Sequence, residues 1–185
     1  LTGLKNGQMI VVGARTSMGK TTFATQAAVH VATGVRYDDG FKQDPLPVGL
    51  WSLEMANEEI VNRVLWSESN VPLIRMRDGF LKHGEMSRIG QAAGRLAAAP
   101  LYLDDSPGLT LPQLRARVLM GVRRFGIKLA VIDYLQLIRA TSKISQNSRV
   151  SAVTEVSQGI KALAKEAGIP IIVPAQLNRE AADGG

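Results

Sequence analysis

The chain has 185 residues, 45% of them hydrophobic, which suits one domain with a sizeable core. It carries 22 basic against 16 acidic residues, net +6, and no cysteine. The cysteine count excludes a disulfide framework and a thiolate metal site. No apolar run is long enough to span a bilayer and no secretory leader is visible, so the expected setting is cytoplasmic, without a membrane partner. The basic balance suits a polyanionic partner, because neutralising phosphates releases counterions.

Short apolar runs alternate with amphipathic segments, the signature of an α/β fold with a mostly parallel sheet flanked by helices. The first expected strand is Met9 to Val12. It leads into a helix from Lys20 to Thr33, with Phe23, Ala27, Ala28 and Val31 on one face and Gly34 as the stop. A polar loop follows from Gly34 to Pro47. The next strand is Gly49 to Leu53, and Asn57 reads as the N-cap of a helix carrying Glu58 and Glu59 in its first turn. A helix over Glu85 to Ala98 and a strand over Leu101 to Leu103 come next.

The helix from Leu111 to Phe125 has the clearest start. Thr110 and Gln113 form a capping box, and Leu109 and Leu114 are spaced as a hydrophobic staple. A fourth strand, Leu129 to Ile132, precedes a helix from about Arg149 to Ala167, on which Val150, Val153, Val156, Ile160 and Leu163 share a face. Gly159 inside it costs about 1 kcal/mol relative to alanine. The last strand is Ile171 to Val173. Pro174 is expected at its very end, because proline interrupts a central ladder.

Chemistry concentrates where strands end. Ala14-Arg15-Thr16-Ser17-Met18-Gly19-Lys20-Thr21 follows an apolar strand and opens a helix, the context of a phosphate-binding loop. Backbone amides of such a loop cradle phosphates, the lysine reaches the β- and γ-phosphates, and the threonine hydroxyl binds magnesium. The strict motif begins with glycine, whereas this loop begins with Ala14 and Gly13 stands one residue early. Nucleotide contacts are therefore expected from Ala14, Arg15, Ser17, Met18, Gly19, Lys20, Thr21 and Thr22. Glu54 follows a strand and is a candidate to orient or deprotonate water. Asp133 closes Leu129-Ala130-Val131-Ile132 and is the candidate magnesium acid with Thr21. Asp104 and Asp105 also follow an apolar strand and are decoys for that role.

The loop resembles that of DnaB-type replicative helicases, which commonly reads Ala-Arg-Pro-Ser-Met-Gly-Lys-Thr and accepts alanine first; Thr16 replaces the usual proline. Three more motifs follow in that family's order: Ser52-Leu53-Glu54-Met55, Asp133-Tyr134-Leu135-Gln136-Leu137 and Gln176-Leu177-Asn178-Arg179. Together they span nearly the whole chain, and Pro174 and Ala175 depart from the usual residues before the last. The resemblance implies a RecA-like ATPase core occupying residues 1–185 and incomplete at its C-terminal end. It implies ATP and Mg²⁺ as cofactors, and catalytic roles for Lys20, for Glu54 as base and for Gln176 as γ-phosphate sensor. It also implies single-stranded DNA and a homohexameric ring as partners, with primase and a helicase loader met through regions outside this chain.

Within this frame Arg139, Lys143 and Arg149 are candidate DNA contacts, in or beside a loop that faces the channel of such rings. Arg115, Arg117, Arg123 and Arg124 read as the outer face of their helix or a subunit contact. An arginine finger from a neighbouring subunit and the main DNA loop are expected beyond Gly185, with a helical domain before Leu1. The strand carrying Gln176 is expected between the Met9 strand and the Asp133 strand, leaving Met9 to Val12 at an apolar edge. The competing readings are a RecA- or clock-type ATPase, a non-catalytic nucleotide-binding assembly module and a small-molecule P-loop kinase.

Overall fold

The computed structural model describes residues 3–15, 18–36, 42–133, 138 and 149–176. Five parallel strands form the main sheet: β1 (Met9–Ala14), β4 (Val48–Ser52), β5 (Leu101–Asp104), β6 (Leu129–Asp133) and β7 (Ile171–Gln176). Their spatial order is β1-β7-β6-β4-β5, so the Gln176 strand does insert between the phosphate-loop strand and the Asp133 strand. Parallel neighbours bring all C-terminal ends to one edge, where ligands of open α/β sheets bind. The register places Ala14 beside Gln176 and Ser52 beside Asp133.

Period-two alternation divides the core into two layers. Val48, Leu50, Leu129, Val131 and Ile172 face α1 (Lys20–Thr33) and α2 (Asn57–Ser69). Trp51, Ala130, Ile132, Ile171 and Val173 face α5 (Leu111–Phe125) and the last helix, α6 (Arg149–Ala167). Strands buried on both faces read as unbroken apolar runs for this reason. Gly49 and Gly121 make room for Trp51, because a Cβ at Gly49 would meet its ring and one at Gly121 would meet Ile127 behind it. Gly159 has a similar purpose: a Cβ there would overlap Leu111, so the glycine that weakens α6 as a helix allows α5 to pack against it.

Several expectations need correction. The buried face of α1 is Ala24, Thr25, Ala28, Val29 and Ala32, and Phe23 is 59% exposed. The seam against β4 and β6 admits small side chains, so the buried face is rotated from the one the spacing of Phe23, Ala27, Ala28 and Val31 suggested. Asn57 is the first helical residue of α2, after Ala56 at the cap. Its backbone N–H donates instead to Asp105 Oδ2 at 2.9 Å, so a residue 48 positions away caps the helix.

Pro174 sits two residues inside β7, paired with Val12. Pairing of β7 with β6 has already stopped at Val131 and Ile172. Alternation from Ile171, whose N–H donates to Gln8 toward β1, turns position 174 to the β6 side, where no ladder bond is lost.

The sequence reading passed over three small elements. Within the polar loop, β2 (Val35–Arg36) and β3 (Lys42–Gln43) pair antiparallel. A six-residue helix, α3 (Leu73–Asp78), precedes α4 (Glu85–Ala98), and the two are joined by Arg75 Nη1 donating to the buried Glu85 carboxylate at 2.6 Å. The capping box of α5 forms as expected, with Thr110 N donating to Gln113 Oε1 at 2.9 Å, and Leu109 and Leu114 are both buried.

Candidate functional site

A cleft of about 580 Å³ opens at the C-terminal edge of the sheet. Gly19, Lys20, Thr21, Thr22, Glu54, Met55, Glu59, Arg63, Asp133 and Gln176 line it. Residues that follow β1 and β4 thus converge with the ends of β6 and β7 although they are distant in sequence.

Gly19 has φ +77°, a left-handed conformation that opens α1 and that a side chain resists. Phe23 N donates to Gly19 O at 2.8 Å and starts the helix. The first-turn amides of Lys20, Thr21 and Thr22 then have no partner within the helix and point from its positive end. Lys20 Nζ donates to Arg15 O at 3.0 Å, folding its ammonium across the loop.

The turn after β4 shows why Ser-Leu-Glu-Met presents one carboxylate. Ser52 is buried, donates through its hydroxyl to Met55 O at 2.7 Å and accepts from Met55 N at 3.0 Å. Leu53 and Met55 go into the core, and Leu53 N donates to Asp133 O at 2.7 Å. Glu54 is left as the exposed residue of the turn, tied by its neighbour to the strand end that carries Asp133.

Asp133 is 4% exposed, and the Thr21 hydroxyl acts to lower its carboxyl pKa. Its Oδ1 is buried with no hydrogen-bond partner among the described residues. Burial raises the carboxyl above its usual range; the Thr21 hydrogen bond opposes this, the Glu54 charge adds to it, and Lys20 and Arg63 oppose it. No group of three His, Asp or Glu among the described residues forms a metal cage. A hydroxyl beside one carboxylate suits magnesium, which keeps waters and takes its other ligands from phosphate.

A raised carboxyl stabilises the fold below the unfolded-state pKa, and that contribution is lost as pH rises through the raised value. At pH 7 without magnesium the charge is a burden. Asp133→Asn is therefore expected to stabilise the metal-free, nucleotide-free protein by ~1 kcal/mol, the scale of an unpaired buried polar group. Thermal melts from pH 4 to 8 would show the gain at neutral pH shrinking toward pH 4. A variant less stable than the parent at pH 7 contradicts the account.

The structure brings Gly19, Lys20, Thr21, Thr22, Glu54, Asp133 and Gln176 together as the sequence suggested. Ala14, Arg15 and Met18 belong to the loop but do not line the cleft, and Met18 is 68% exposed. Ser17, Arg139, Lys143 and the Arg149 side chain lie outside the described residues. Asp104 and Asp105, which the resemblance places near the site without a catalytic part, do not line the cleft: Arg117 Nη1 donates to Asp104 Oδ2 at 2.6 Å, and Asp105 caps α2. Arg115 pairs with Glu166, so Arg115 and Arg117 tie α5 to α6 and β5 and are not merely an outer face. Sequence reasoning missed Glu59 and Arg63; the only local signal was their spacing of four on a helix.

This strand order, with a glycine-lysine-threonine turn entering the first helix, defines a RecA-like nucleotide-binding fold. Solved structures agree. The chain superposes with a TM-score of 0.83 on a DnaB-like replicative helicase, solved to describe its interactions with primase, and on the ATPase domain of G40P. Each match has 24% sequence identity and covers 96% of this chain, with 41% and 60% of the respective partners. The chain belongs to the DnaB-like helicase C-terminal domain family, whose model matches residues 1–183.

Among curated relatives, it is 41% identical over 177 residues to the replicative DNA helicase DnaB of Leifsonia xyli. It is 37% identical over 180 residues to that of Rickettsia conorii. It is 34% identical over 177 residues to the replicative DNA helicase DnaC of Bacillus subtilis. These alignments cover 96–97% of this chain, which spans 36–37% of the length of each relative. No helix among the described residues is long and apolar enough to cross a membrane.

Proposed function

We propose that the cleft binds ATP with Mg²⁺ and hydrolyses it, and that the domain is the motor of a replicative DNA helicase. In this reading hydrolysis drives translocation on single-stranded DNA and duplex unwinding in a hexameric ring. The observation that carries it is the meeting of Lys20, Thr21, Glu54, Asp133 and Gln176 at one sheet edge, in a family of helicase domains. The Gly19 turn and the α1 amides hold phosphate oxygens, and Lys20 exchanges the Arg15 carbonyl for phosphate. Thr21 and Asp133 hold the cation, and the unpartnered Asp133 Oδ1 is the acceptor left for it or its water. Bound magnesium neutralises phosphate charge and orients the polyphosphate. Glu54 orients the attacking water and takes its proton on the exposed carboxylate. Gln176, at the end of β7, reports the γ-phosphate through its amide.

Single-stranded DNA, further copies of the same protein, primase and a loader are the proposed partners in the whole protein. Arg139, Lys143 and Arg149 are the proposed phosphate contacts. In the full-length ring, single-stranded DNA is expected to stimulate ATP turnover, and the stimulation should fall steeply with salt. Neutralising the three basic residues together should flatten that salt slope. Turnover indifferent to DNA at every salt concentration would favour a non-motor nucleotide-binding module.

A further inference from the structure

Glu59 and Arg63 lie one turn apart on α2, and both line the cleft that holds Lys20, Thr21, Glu54 and Asp133. Arg63 Nη2 donates to Glu59 Oε1 at 2.7 Å. Their side chains are 49% and 51% exposed, so both remain within reach of solvent and ligand. The Arg63 charge is felt at Asp133, which places it within electrostatic range of the cation-binding end of the cleft. The lining thus carries three carboxylates (Glu54, Glu59 and Asp133) and two cations. Lys20 is held by a carbonyl and Arg63 by Glu59.

We propose that Glu59 is a positioning residue that holds Arg63 in reserve, so that a nucleoside triphosphate draws Arg63 away from Glu59 while a diphosphate leaves the pair closed. This rests on the nucleotide reading of the cleft and adds to it a source of discrimination between substrate and product.

The magnitudes favour exchange. An exposed pair four residues apart on a helix shifts an equilibrium by only about twofold. A guanidinium meeting a phosphate in a partly dry cleft makes a stronger, charge-assisted fork. A terminal phosphate of high charge density therefore outcompetes one exposed carboxylate. Glu59 also adds a negative charge to a site that must accept a polyanion, and Arg63 masks that charge only while the two are paired. An ordinary helix-stabilising pair would behave differently. Its loss would alter the stability of α2 slightly and move the affinities of the two nucleotides together.

Equilibrium binding of a non-hydrolysable ATP analogue and of ADP, both with Mg²⁺, separates these behaviours. The proteins compared are the parent chain, Glu59→Gln, Arg63→Gln and the double variant. Glu59→Gln is expected to tighten the triphosphate about three- to tenfold and to move ADP by less than about twofold. Arg63→Gln should weaken the triphosphate about tenfold or more, again with little effect on ADP. In the double variant the selectivity that Glu59→Gln adds for the triphosphate should vanish, because the cation it released is gone, and any tightening from removing the unmasked carboxylate should be alike for both nucleotides. Equal shifts for both nucleotides in Glu59→Gln overturn the proposal, as does a gain in triphosphate selectivity from Glu59→Gln that persists without Arg63. If the parent protein binds neither nucleotide, the reading of the cleft itself fails and this inference with it. Normal ADP binding with unchanged selectivity in Glu59→Gln overturns this inference alone.

Discussion

Replacing Glu54 with glutamine is expected to slow ATP hydrolysis by the assembled protein about 10²–10⁴-fold, the usual contribution of a positioned general base. Nucleotide affinity should change little. The amide has the shape of the carboxylate but cannot take a proton from water. Stability should also hold, because Glu54 is exposed in a turn fixed by its neighbours, with Ser52 bonded to Met55 and Leu53 bonded to Asp133. A loss of activity therefore could not be attributed to collapse of the turn. Single-turnover hydrolysis and nucleotide binding measured on the same preparation would check both halves. Full turnover in Glu54→Gln would move the base elsewhere.

Lys20→Ala should remove both binding strength and turnover. Lys20 is the loop's ammonium in the cleft lining, and its Nζ donates to the Arg15 carbonyl. Losing that contact costs the fold little. Losing a charge-assisted bond to phosphate costs about 1.5–3 kcal/mol, roughly 10–100-fold in affinity. Turnover should fall further, because charge on the phosphates develops in the transition state. Steady-state ATPase rates beside a thermal melt without ligand would test this. Unchanged melting with turnover below a hundredth of the parent is the expected pair of results. A variant that keeps parent turnover would remove the phosphate-loop assignment.

The parts of the site that were legible in the sequence are those written locally. The phosphate loop is one contiguous run between a strand and a helix, and Asp133 closes an apolar run of four. The inner strands β4, β6 and β7 were legible because both their faces are buried, which removes polar residues from the run, and the edge strands β1 and β5, though only partly buried, are still apolar runs. What stayed hidden depends on neighbours that sequence spacing does not reveal. Asp105 caps a helix 48 residues earlier, and nothing beside Asn57 signals it. Phe23 was placed on the buried face by its spacing from Ala27, Ala28 and Val31, whereas close packing of α1 on the sheet selects Ala24, Ala28 and Ala32. Pro174 is tolerated because β6 has stopped pairing, a fact of register rather than composition. Glu59 and Arg63 have the spacing of any solvent-exposed helical pair, and only the position of α2 beside the cleft distinguishes them.

The claim on which the rest depends is that this cleft binds a magnesium nucleotide through the Gly19-Lys20-Thr21 turn. The direct measurement is a calorimetric titration of ADP into residues 1–185, with and without Mg²⁺, for the parent sequence and Lys20→Ala. The account predicts one site per chain in the parent, affinity that rises with Mg²⁺, and weakening of about tenfold or more in the variant. Absence of binding in the parent, or binding indifferent to Lys20, would contradict it.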